Sequence, residues 1–222
     1  MDIKKYKIII ISVSSAALVI LFFAVFYSVK YFKLQNKSLA AISQEKDRAD
    51  SYEYLLDNYN LISSNTIFSG SADYKGKENA RKFTAFSLYY KDKFYIITAG
   101  HSIEFEDISY DNFRIRKQNK DEWIYPELLY YSNDFEGNND FAIFRHESIN
   151  KGLYPATDDL IPGFILGNSI IKIYRPDTNA AYGESGSPVI NARCRVVGVL
   201  IKSTGQYTDI KKVLEAIDRL TK

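Results

Sequence analysis

The sequence predicts an all-β domain of the sandwich or barrel kind, carried behind a helical N-terminal region and finished by a C-terminal helix. Three observations lead there. From about residue 65 onward, short runs rich in β-branched and aromatic residues alternate with polar turns. Residues 33–62 contain neither Gly nor Pro and place apolar side chains at helical intervals. Ile210, Val213, Leu214, Ile217 and Leu220 recur at the spacing of a helix that buries one face.

Composition narrows the function classes. A chain of 222 residues holds one or two domains, and 46% hydrophobic with 25% charged residues is an ordinary globular balance. The net charge of +2, with no basic patch interleaved with aromatics, argues against a nucleic-acid partner. A single cysteine, Cys194, excludes an intramolecular disulfide, so the core alone must hold the domain. Beside the Val196–Val199 run, Cys194 is expected to be a small buried hydrophobe.

Residues 1–7 form a tail carrying Lys4, Lys5 and Lys7. Residues 8–29 are uncharged and strongly apolar, and as a helix they would span about 33 Å, enough for a bilayer core. Tyr27, Tyr31 and Phe32 add interfacial aromatics. A cleaved signal peptide is the competing reading, disfavoured by the long apolar region and poor cleavage sites. The expectation is a single-pass transmembrane signal anchor over residues 8–29 with the large C-terminal part outside the cytoplasm. Lys30, Lys33 and Lys37 behind the span make the charge bias nearly even. Residues 30–64 read as a helical stalk or linker, a plain spacer or a means of self-association; the apolar spacing is too irregular for a sustained heptad.

Within residues 65–222, strands are expected over 83–90, 94–99, 113–116, 123–131, 141–145, 170–174, 188–190 and 196–202. Thr208 and Asp209 are N-cap candidates for the final helix.

The chemistry concentrates in three places. Gly183-Glu184-Ser185-Gly186-Ser187-Pro188 is a glycine-bounded turn that can expose a serine and aim backbone N–H groups at one point. His101, one of two histidines, follows an apolar run that breaks at Gly100. Asp140 stands at the mouth of Phe141-Ala142-Ile143-Phe144. The order His, Asp, Ser is that of the chymotrypsin-type triad and differs from those of subtilisins and α/β-hydrolases. Thr98-Ala99-Gly100-His101, Asp140-Phe141-Ala142-Ile143 and the Gly183–Pro188 block together resemble the signature blocks of trypsin-like serine peptidases. The Ser-Gly-Ser-Pro ending is most similar to the bacterial branch with glutamyl endopeptidases and HtrA-type enzymes.

That resemblance covers roughly residues 65–222 and implies two packed six-stranded-type β-barrels, chymotrypsin-like, with the site in the cleft between them. It further implies Ser185 as nucleophile, His101 as base, Asp140 as the acid that orients it, and the N–H groups of Gly183 and Ser185 as oxyanion hole. Asp134 competes with Asp140 for the acid role, but Asp140 has the strand context; Asp134 and Glu136 read as loop charges. Ser187 is expected to bond the turn through its hydroxyl, and His146, beside Arg145 and Glu147, to be a surface residue.

Asn179, Ala180, Leu200 and Ser203 are the candidates for the substrate pocket. No acid stands six residues before Ser185, and Leu200 occupies the place where glutamyl endopeptidases carry His, so a small or apolar side chain is the expected preference. Glu184 departs from the commoner Asp or Asn, and with no segment of the Ile-Val-Gly-Gly kind in the sequence, activation by a freed amino terminus pairing with it is not expected. The reading is a membrane-anchored serine endopeptidase of the bacterial envelope, acting on polypeptides and needing no metal or cofactor. The alternatives are a silent pseudo-peptidase that binds peptides or partners, and a regulatory protease dormant until a signal orders its loop.

Overall fold

The computed structural model describes residues 3–118, 120–134, 136–158, 160–167, 170–176, 181–201 and 205–221, with side chains from residue 21 onward. Helix α1 runs from Ile3 to Thr66, as the lack of Gly and Pro over most of its length favours. The chain divides into two compact units, Met1–Asp47 and Arg48–Lys222. In the first, every described side chain from Leu21 to Asp47 is exposed.

Among the described residues no helix is long and apolar enough to cross a membrane, which corrects the expected single-pass membrane placement. Past Val29 the helix carries Lys30, Lys33 and Lys37 and then Glu45, Lys46, Asp47 and Arg48, charges that a hydrocarbon core does not accommodate. The side chains of residues 8–20, the remainder of the expected anchor, lie outside the described ones.

In the second unit the last turns of α1 pack on β structure. Leu55 is buried in the main core, Tyr52 stacks on Phe164 with ring centroids 5.5 Å apart, and the Tyr59 hydroxyl donates to the Gly167 carbonyl at 2.9 Å.

The strands that follow are β1 (Ile67–Tyr74), β2 (Lys77–Tyr90), β3 (Lys93–Thr98), β4 (Glu104–Phe105), β5 (Ile108–Ser109), β6 (Asp111–Lys117), β7 (Glu127–Asp134) and β8 (Asn139–Arg145). The second set is β9 (Phe164–Leu166), β10 (Ile171–Ile173), β11 (Pro188–Ile190), β12 (Val196–Leu200) and β13 (Tyr207–Asp209), leading into α2 (Ile210–Leu220). Among the described residues they form a six-stranded sheet ordered β6-β1-β2-β3-β8-β7, a five-stranded sheet ordered β10-β9-β11-β12-β13, and the small hairpin β4-β5. Where two six-stranded-type barrels were expected, the described strands form two antiparallel sheets of six and five strands.

One core joins the two sheets: Phe86, Leu88, Ile97, Phe141 and Ile143 from the first meet Leu166, Ile190, Val196 and Val199 from the second. Helix α2 closes it with Ile210, Val213 and Ile217, and its Asp209 N-cap carboxylate accepts from the Lys211 N–H at 2.8 Å. The expected strand 123–131 breaks in two. Ile124 makes an isolated bridge to Ile115, and β7 starts after Pro126, which has no N–H to give a ladder. Strand β1 escaped the sequence reading because Ser69-Gly70-Ser71-Ala72 lacks bulky residues; Gly70 is needed there, since a Cβ would overlap the Phe83 ring.

Candidate catalytic site

Strand β3 ends at Thr98, Ala99 remains extended, and a single 3-10 turn over Gly100–Ser102 carries His101 inward, 4% exposed. A Cβ on Gly100 would overlap the Ser132 carbonyl and crowd Asp140 Oδ1, so the sheet comes too close there for any other residue. Asp140, the second residue of β8, is wholly buried. Its Oδ1 accepts the His101 backbone N–H at 2.7 Å, and its Oδ2 lies 2.6 Å from His101 Nδ1. One carboxylate thus holds both the turn and the ring. It favours the tautomer protonated at Nδ1, which leaves Nε2 as acceptor.

Asp140 is itself held by Thr208 on β13. The Thr208 hydroxyl accepts the Asp140 N–H and donates to the Asp140 carbonyl, both at 3.0 Å. Thr208, read from the sequence only as a cap candidate, therefore fastens the second sheet to the acid on the first. Asp134 is exposed and accepts from the Gly137 N–H at 2.9 Å, and Glu136 is exposed. His146 is half-buried and lies 2.8 Å from the Ser148 hydroxyl.

The serine loop is built differently. Gly183 and Gly186 have φ of +87° and +88°, the left-handed region that suits glycine. Gly186 also sits so close to the first sheet that a Cβ would overlap the Thr84 carbonyl and Thr98 Oγ1 and come within 3.1 Å of the Ala99 nitrogen. Thr84 binds the loop twice: its N–H donates to the Ser185 carbonyl at 3.0 Å and its hydroxyl to the Gly183 carbonyl at 2.8 Å. Thr98 Oγ1 in turn donates to the Thr84 carbonyl at 2.7 Å. On the other side, Gly186 N–H donates to the Leu200 carbonyl at 2.8 Å and Leu200 N–H to the Ser187 carbonyl at 2.9 Å. Gly186, the residue after the half-buried Ser185, is thereby brought against the Thr98–Ala99 segment, which precedes His101 in the chain.

Among the described residues the N–H groups of Gly183 and Ser185 find no acceptor, whereas those of Glu184, Gly186 and Ser187 are all bonded. The Glu184 side chain turns back onto the loop: its Oε2 accepts the Ala181 N–H at 2.6 Å and meets Lys172 Nζ, from β10, at 2.7 Å. Neither Thr84 nor Lys172 was legible as a site residue, since each is an ordinary strand residue whose partner lies about a hundred residues away or, for Lys172, twelve.

Several expectations change. Ser187 is fully buried and its hydroxyl has no hydrogen-bond partner among the described residues, so the backbone and not the side chain bonds the turn. Cys194 is half-buried at φ +57° in the turn between β11 and β12, and burial raises its thiol pKa. Of the pocket candidates, Asn179, Ala180 and Ser203 lie outside the described residues. Leu200 is wholly buried in the cluster with Val189 and Ile165, so its side chain forms core beneath the loop and not an open wall.

No protein-family model matches the chain, and no curated protein matches it in sequence. Among solved structures it is similar to the Rv3671c protease of M. tuberculosis in its active form, with a TM-score of 0.54 and 12% identity over 72% of this chain and 83% of that one. A structure of Rv3671c from M. tuberculosis H37Rv, a serine-to-alanine mutant in an inactive form, gives a TM-score of 0.51 and 13% identity over 72% and 89%. At such identities the likeness is one of fold: a mostly β, chymotrypsin-like architecture with a C-terminal helix.

Proposed function

We propose that this chain is a serine endopeptidase that hydrolyses peptide bonds through an acyl-enzyme on Ser185, with residues 65–222 as its peptidase domain. The observation that carries the reading is the buried His101–Asp140 pair, 2.6 Å between Nδ1 and Oδ2, beside a glycine-bounded serine loop. A binding module needs no such pair, because orienting an imidazole matters only when the ring must move a proton.

Each group has a role in this reading. His101 Nε2 takes the proton from Ser185 Oγ as the oxygen attacks the substrate carbonyl, forming the new C–O bond. The imidazolium is stabilised by Asp140, which stays ionised. The N–H groups of Gly183 and Ser185 receive the negative charge on the carbonyl oxygen. Collapse breaks the C–N bond, and His101 delivers its proton to the leaving amine. Water, deprotonated by the same ring, then releases the acyl group and restores Ser185. Glu184 and Lys172 act before any of this, by setting the direction of the two peptide N–H groups on either side of Glu184.

The deciding experiment is labelling with a fluorophosphonate probe. The expected result is labelling of the wild-type chain that vanishes in Ser185→Ala while casein hydrolysis disappears with it. A folded wild-type chain that neither labels nor hydrolyses casein would overturn the reading.

A further inference from the structure

Beside the proposed oxyanion loop lies a cavity of about 730 Å³ with a pronounced chemical character. Gly183 and Glu184 line it together with Ser71, Lys82, Arg116, Trp123 and Tyr182, the last 76% exposed. Among the described residues its cations are not neutralised from within. Glu184, the one carboxylate on its lining among the described residues, is engaged by Lys172 at 2.7 Å. Asp73 nearby on β1 is taken by Arg114, with contacts of 2.8 and 3.0 Å. Lys82 and Arg116 have no ion pair among the described residues.

Arg116 is instead held against an aromatic face: its guanidinium carbon lies 4.9 Å from the Trp123 ring centroid, with Arg114 at 5.5 Å from the same ring. A guanidinium stacked in this way keeps its N–H edge free for a planar anion and has little side-chain freedom left to lose on binding it.

We propose that this cavity receives an acidic side chain, Asp or Glu, of the polypeptide being cut, with the Arg116 guanidinium as its partner and Trp123 as the wall. The inference rests on the peptidase reading for the identity of the ligand as polypeptide. Gly183 lines both the cavity and the oxyanion hole. At about 3.3–3.6 Å of extended chain per residue, the acidic residue therefore falls within about three positions of the bond that is broken. The site selects for charge next to that bond, a separate choice from the residue that enters the pocket on the acyl side.

Trp123 is the only tryptophan in the chain, so its fluorescence reports occupancy without any turnover. The experiment titrates the full-length Ser185→Ala chain with capped peptides identical except for Glu, Gln or Lys at successive positions. The expected result is a saturable emission change with affinity about tenfold higher for Glu than for Gln, as one charge-assisted hydrogen-bonded pair gives. The preference should weaken as salt rises, and both Arg116→Gln and the exposed Lys82→Gln should reduce it. A free-carboxylate arm distinguishes a chain terminus: if only uncapped peptides bind, the cavity takes a C-terminal carboxylate and the side-chain assignment is overturned. Equal affinity for Glu, Gln and Lys overturns it as well, as does an unaltered Glu preference in both folded variants. In the active chain, the Glu-to-Gln ratio of kcat/KM should fall about tenfold in Arg116→Gln. A chain that shows the Trp123 response but hydrolyses nothing would count against the peptidase reading and not against the acidic site.

Discussion

The two halves of the candidate site are held by different forces. The His101–Asp140 half is set in the core. Its two side chains are 4% and 0% exposed, one carboxylate grips both the backbone and the ring of His101, and Thr208 locks the Asp140 peptide from the second sheet. The Gly183–Ser187 half is only partly buried and is held by polar clamps, namely two bonds from Thr84, two exchanged with Leu200 and the Lys172–Glu184 ion pair. Packing in a dense interior is close to all-or-none, whereas a loop hung on single hydrogen bonds can be loosened one bond at a time. The proposed base and its acid are therefore built by folding itself, while the proposed nucleophile and oxyanion donors depend on a few named contacts.

The largest loss from a single substitution is expected in the core half. Asp140→Asn keeps the shape but cannot favour the Nδ1-protonated ring, and kcat should fall by about 10⁴-fold. Steady-state hydrolysis with thermal melting as a control checks it; a loss under tenfold would show that the buried pair does not orient the base.

Lys172→Met comes next. It leaves Glu184 facing the loop without its cation, and kcat should fall by about 10²-fold, the scale of one lost oxyanion donor. KM should move little and Lys172→Arg should recover much of the rate. Equal falls in rate and melting temperature for both variants would mean that the pair serves stability alone.

Thr84→Val removes only the bond from the hydroxyl to the Gly183 carbonyl. About a fivefold decrease in kcat is expected, from a hydrogen bond worth about 1 kcal/mol. If the decrease matched that of Lys172→Met, the loop would be a single cooperative unit and the contrast with the core half would shrink.

The smallest effect on activity comes from the ion pair behind the first sheet. Arg114 beside Asp73 holds its carboxyl down to about 2, against an ordinary value of 3.8. A carboxyl lowered in the folded state binds its proton more readily when unfolded. Its stabilisation is thus present above about pH 4 and is lost as pH falls toward about 2. Asp73→Asn should abolish that part of the acid dependence in thermal melts between pH 2 and 5, with hydrolysis at neutral pH nearly unchanged.

Legibility in the sequence differs along the chain. Ala99-Gly100-His101, Asp140-Phe141-Ala142-Ile143 and Gly183–Pro188 were legible because local backbone need and chemistry coincide in them: a glycine where the turn is tight, a polar group at the end of an apolar run. Helix α2 was legible through its apolar spacing and its Asp209 cap. Strand β1 was not, because its fitness for the sheet lies in being small beneath Phe83, a residue thirteen positions on. The 8–29 stretch drew a membrane reading from composition alone, a reading that no described helix supports.

By itself the sequence determined the β-rich class, the long N-terminal helix, the C-terminal helix and the three short blocks that hold the candidate catalytic residues, because each depends on neighbours within a few positions. The tertiary structure alone decided that Thr84, Thr208 and Lys172 secure the site and that Arg116 lies on Trp123 beside Gly183. It also decided that Leu200 is core instead of pocket. Those facts depend on which strands lie side by side, and strand pairing joins residues whose separation along the chain leaves no periodic trace.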